Sequence, residues 1–159
     1  MVALYRELGE FSRFIPKSKR IMCLDMGEKQ VGVAFSDITQ LIAIAHSVYH
    51  RRNVSKDLGY FYRILKENEA ESIVVGLPLA IDGYENQWCD KVIHFANKIV
   101  NKCKVNIYLQ DERFSTSFAT NALKLYGVSI IKSKKLNDKV SACIILQRTL
   151  DRMNNLLKE

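Results

Sequence analysis

Proline and glycine are scarce: Pro16 and Pro78 are the only prolines, and seven glycines stand among 159 residues. Neither count suits an extended disordered or low-complexity protein. No apolar run nears the roughly 18 residues that a membrane-spanning helix needs, and no segment repeats. Arg6, Glu7 and Glu10 interrupt the N-terminus where a secretory leader would carry a continuous apolar core. Cysteine is sparse and scattered. Cys23, Cys89, Cys103 and Cys143 form no C-x-x-C pair, and no histidine follows at zinc-site spacing. The expectation is free thiols in a reducing, cytoplasmic setting without a membrane partner.

What is present describes an ordinary folded domain with one unusual property. Apolar residues make up 48% and charged residues 26%, and a chain of this length buries roughly two-thirds of its unfolded surface in one core. The unusual property is a formal charge of +7. Such a field gathers polyanions, and nucleic acid leads among the partner classes.

Residues 1–19 read as an N-terminal amphipathic arm. Leu4, Leu8, Phe11 and Ile15 fall at helical spacing before Pro16, which predicts a short helix packed on a domain of residues 20–159. Within that domain, Ile21–Met26 and Val31–Ser36 read as strands joined by a tight turn at Gly27, and a third strand falls within Leu41–Tyr49. Val54–Ala70 is helical, with Leu58, Phe61, Ile64 and Leu65 on one face. "SIVVG" is short, apolar and β-branched, as central parallel strands are. A helix through Trp88, Val92, Phe95 and Ile99, a strand "VNIYLQ", a helix over Ser115–Tyr126 and a last helix over Lys139–Leu157 complete the chain. The predicted fold is therefore α/β: a mixed five-stranded sheet, its first three strands antiparallel and the rest parallel, with helices on both faces. The ribonuclease H-like fold has this order.

Three acids fall where such a sheet presents chemistry. Asp25 ends the first strand, Glu112 follows the strand Val105–Gln110 within "DER", and Asp138 stands at or before the last helix. Singly, Asp25 is equally a turn aspartate, Asp138 a helix cap and Glu112 with Arg113 a solvated pair. Together they suit phosphodiester hydrolysis assisted by Mg²⁺ or Mn²⁺, hard ions that prefer carboxylate oxygens.

"LDMGEKQVGVAFSD", "IVVGLPLAIDG", "DERFST" and "KLNDKVSACIILQ" occur in the order found in the YqgF/RuvX family of pre-16S rRNA nucleases, also described as Holliday junction resolvases, and the chain resembles that family over about Arg20–Leu150. The resemblance implies a ribonuclease H-like fold and a metal-dependent nuclease processing the 5′ end of pre-16S rRNA. It implies Asp25, Glu112 and Asp138 as catalytic residues and ligands of Mg²⁺ or Mn²⁺. Lys29, Arg113, Lys132 and Lys135 are the nucleic-acid-binding candidates. Gln30 stands where the family usually has Arg, Ala80 where it commonly has Asn, and Ser141 where Ala is usual. Alternatives are a junction-resolving DNA endonuclease and a nucleic-acid-binding module without catalysis, as a monomer or homodimer. His46 and His50 read as strand residues rather than ligands, His94 as a surface residue, and Trp88 with Phe95 as core.

Overall fold

A computed structural model describes residues 2–80, 82–113 and 130–158, with side chains from residue 140 onward in the last segment. The strands are β1 (Leu4–Tyr5), β2 (Arg20–Met26), β3 (Gln30–Ser36), β4 (Ala43–His50), β5 (Ala70–Leu77) and β6 (Asn106–Asp111). The helices are α1 (Leu8–Ser12), α2 (Val54–Glu67), α3 (Gln87–Cys103) and α4 (Ile130–Leu157). The helix expected over Ser115–Tyr126 lies outside the described residues.

The sheet order is β1-β6-β5-β2-β3-β4. β2, β3 and β4 run antiparallel through short turns, and β5 and β6 join parallel to β2 through the crossover helices α2 and α3. Crossovers of one hand, stepping in one direction along the sheet, put both helices on the same face. Met22, Leu24, Met26, Phe61, Ile64, Phe95 and Ile99 form the core there. On the other face α4 packs across β2, β3, β4 and β5, with Ile21, Cys23, Val74, Ile145, Leu146 and Leu150 at its centre.

The sheet has six strands, not five, because the arm contributes one. Leu4 and Tyr5 pair parallel with Ile107 and Tyr108, and the Ala3 N–H donates to Asn106 Oδ1 at 2.9 Å. The predicted amphipathic helix is confined to Leu8–Ser12, which buries Leu8 and Phe11 beneath α4. Otherwise β6 would end the sheet with a row of unpaired backbone groups. Both crossover helices begin on an asparagine cap, Asn53 accepting from Lys56 N–H and Asn86 from Cys89 N–H, each at 2.9 Å.

Candidate active site

Strand parity aims the first acid. On β2, Ile21 and Cys23 point to the α4 face while Met22, Leu24 and Met26 point away, so Asp25 projects toward α4. Its register partner on β3 is Gly32. The Gly27 turn then reverses the chain so tightly that a Cβ on Gly27 would sit 2.5 Å from the Gln30 carbonyl oxygen.

The second acid comes from two strands away. Leu77 pairs with Asp111, and the Glu112 N–H donates to the Leu77 carbonyl at 3.1 Å, extending the ladder one residue past β6. Between Glu112 and Asp25 lies β5, where the residue facing α4 is Gly76. A Cβ there would collide with Glu112 Oε2 and lie 2.9 Å from Ile145 Cδ1. Glycine thus leaves a gap through which the Glu112 carboxyl crosses β5 and hydrogen-bonds Asp25. Burial pushes the Glu112 carboxyl pKa up, and the Asp25 charge and hydrogen bond add to the rise. Two carboxyls in contact repel unless a proton or a cation lies between them. This is a hard, oxygen-only donor pair of the kind Mg²⁺ or Mn²⁺ takes. Beneath it the Cys23 thiol is fully buried, its pKa raised by burial and then by the two acids.

Asp138 is in the first part of α4, seven residues before Ile145, about 10 Å of helix rise. Its side chain, like those of Lys132 and Lys135, lies outside the described residues. Among the described residues, no group of three or more potential metal ligands forms. Lys29 is exposed on the β2–β3 turn. Arg113 is at the rim, bound by Asp111 through Nε at 2.8 Å and through Nη2 at 2.7 Å, and its guanidinium lies against Gly83. Gly83 has φ +88° and donates its N–H to the Ala80 carbonyl at 2.8 Å, so this loop position is a turn requirement as well as a rim. His46 is exposed, its ring edge-on to Phe35 and in contact with Ser47 Oγ.

Two supporting networks carry no local sequence signal. Asp57, 2% exposed, accepts from Tyr49 Oη at 2.7 Å, from the Arg52 N–H at 2.9 Å and from Arg51 Nε at 3.3 Å. Arg51 also donates to the Gly27 carbonyl, fixing the turn beside Asp25. On the opposite face, buried Gln110 accepts from Thr149 Oγ1 and Arg152, tying β6 to the C-terminal half of α4.

Residues 19–152 match the RuvX family, described as Holliday junction resolvase. The chain belongs to the RuvX family. It is 67% identical over 153 residues to a Wolbachia pipientis wMel protein named "Putative pre-16S rRNA nuclease", covering 96% of this chain and 99% of that one. An Ehrlichia ruminantium (strain Welgevonden) protein of the same name is 55% identical over 148 residues, covering 93% and 95%. Among solved structures, Thermus thermophilus RuvC in complex with Holliday junction substrate aligns at TM-score 0.50 and 11% identity, covering 85% of this RuvX chain and 96% of RuvC. That likeness is one of fold and bears out the ribonuclease H-like architecture.

Proposed function

We propose that this RuvX protein is a divalent-metal-dependent nuclease that processes the 5′ end of pre-16S rRNA in the cytoplasm. The observation that carries the reading is the carboxyl contact between Glu112 and Asp25 across Gly76. Two carboxyls buried in contact destabilise the fold, either by holding a proton above the ordinary carboxyl range or by charge repulsion, whereas a hard cation between them removes both costs.

In this reading Asp25, Glu112 and Asp138 hold Mg²⁺ or Mn²⁺. A bound ion of this kind supplies a water acidified for attack and charge neutralisation at the phosphate. The chain's own residues do the rest. The ladder between β2, β5 and β6 holds the two strand-borne acids without loop freedom, and Lys29 with Arg113 flanks the scissile phosphate. Lys132 and Lys135 are assigned to the same nucleic-acid-binding role from the sequence. No helix among the described residues is long and apolar enough to cross a membrane.

The test sets purified protein with Mg²⁺ or Mn²⁺ against a pre-16S 5′ leader and a four-way DNA junction in parallel. Cleavage of the leader, lost in Asp25→Asn with the fold intact, is the expected result. Cleavage of the junction alone would replace RNA with branched DNA as substrate. Binding without cleavage of either would leave a nucleic-acid-binding module.

A further inference from the structure

We propose that the groove between α3 and the start of α2, on the sheet face opposite the acid pair, holds a single-stranded RNA segment adjoining the cleaved phosphate, with one base against Trp88 and phosphates on Lys91 and Lys98. The proposal rests on the nuclease reading above and names the part of the substrate that the acid pair does not touch.

The helix itself supplies the first argument. Trp88, Lys91, Phe95 and Lys98 are spaced by three, four and three along α3, so they form one line along the edge of its buried stripe, to which Phe95 belongs. Aromatic and cationic residues alternate along that line. With Met26 and Arg51 they line a recess of about 220 Å³, room for a base and too small for a duplex. Sequence spacing predicts Trp88 and Phe95 as core. Phe95 is buried, but Trp88 is only half-buried and lines this recess. Single-stranded nucleic acids are held in this way, bases on aromatic faces and backbone on lysines.

The recess is also prebuilt. The Arg51 guanidinium lies 4.9 Å from the Phe95 ring centroid and is fixed by Asp57 and the Gly27 carbonyl. Its floor therefore needs no ordering on binding. A second recess of about 370 Å³ adjoins the first, sharing Arg51 and Val54, and carries Lys29 and Arg52 beside Glu28. The two recesses connect the groove to the β2–β3 turn, which begins two residues after Asp25. Among the described residues, Lys29, Arg52, Lys91 and Lys98 form no ion pair with an acid. Basic residues thus run from the β2–β3 turn, past Glu28, into the groove.

Trp88 is the only tryptophan in the chain, so its emission reports the groove directly. Adding a short oligouridine to metal-free protein should quench Trp88 fluorescence, and duplex RNA should not. The double variant Lys91→Glu, Lys98→Glu, with Tm checked against the parent, should bind the oligonucleotide about 10-fold more weakly. Its salt dependence should flatten by about 1.4 in log–log slope, for two phosphates on a single strand. With a leader carrying a single-stranded flank, KM should rise about 10-fold at unchanged kcat, while a leader trimmed of that flank should be unaffected. Asp25→Asn should lose cleavage and keep the quench. Oligonucleotide binding seen by anisotropy without Trp88 quenching would overturn the groove, as would no binding, equal quenching by duplex, or wild-type affinity in the double variant. Quenching that the double variant loses, in a protein that cleaves neither substrate, would uphold the groove and overturn the nuclease reading.

Discussion

Asp25 and Glu112 are a liability to the fold as long as nothing lies between them. Glu112 and Asp25 share a hydrogen bond and therefore a proton, and replacing Glu112 with Gln, or Asp25 with Asn, keeps that hydrogen-bonding shape without holding a proton on a buried carboxyl or setting two charges in contact. Either variant is expected to raise the Tm of metal-free protein by a few degrees, corresponding to about 1 kcal/mol. The same variants should lose the Tm rise that millimolar Mn²⁺ gives the parent, because a ligand stabilises only the state that binds it. Thermal unfolding with and without Mn²⁺ checks both halves, and a parent that Mn²⁺ leaves unmoved would count against the metal assignment. Gly76→Ala should behave differently. Its Cβ would meet the flexible ends of Glu112 and Ile145, which can swing aside, so Tm should change little while cleavage falls by two orders of magnitude or more.

At the scale of elements, the β3–β4 turn and the β4–α2 junction each depend on one aspartate. Asp37 accepts from the Thr39 hydroxyl and from the N–H groups of Thr39, Leu41 and Ile42, and its pKa is lowered to about 2, chiefly by the Thr39 hydroxyl. A carboxyl with a depressed folded pKa stabilises above its unfolded value, near 3.9, and that stability is lost as pH falls toward about 2. The Tm of the parent should therefore decline more steeply than that of Asp37→Asn between about pH 4 and pH 2. Asp57→Ala should be far more severe, about 3 to 5 kcal/mol by chemical denaturation, because it strands the Arg51 charge and the Tyr49 hydroxyl. Local pattern reveals such elements unevenly. The ends of β2 and β3 are readable because an apolar run stops on Asp25 and Gly27 permits immediate return. The fate of Leu4 is not: its spacing with Leu8 and Phe11 is helical, yet pairing with Ile107, far along the chain, draws it into β1. Asp57 reads as one more charged helix residue until Tyr49 and Arg51 fold over it.

For the whole molecule, the formal charge of +7 foretells a polyanion partner, and the groove along α3 accounts for where part of that charge is spent. RNA affinity should fall linearly with salt on a logarithmic scale, and the slope should stay the same in Asp25→Asn, which lies among the acids and not along the basic track. Filter binding from low to physiological salt checks this. The mixed sheet with helices on both faces is legible from element order alone, and membership of the RuvX family follows from four ordered motifs. What stays hidden is how strands distant in sequence space their side chains across the sheet. No reading of "IVVGLP" by itself discloses that Gly76 is there for the sake of Glu112.

That gap has a genetic consequence. Every missense change in a glycine codon adds at least a Cβ, so position 76 has no conservative replacement to offer a drifting lineage. In a saturation library selected for activity, Gly76 should be depleted as thoroughly as Asp25 or Glu112, although it has no side chain with which to bind anything. The same library sorted for folded protein alone should tolerate alanine there, and the difference between the two sorts would mark the residue as a window kept open for its neighbour.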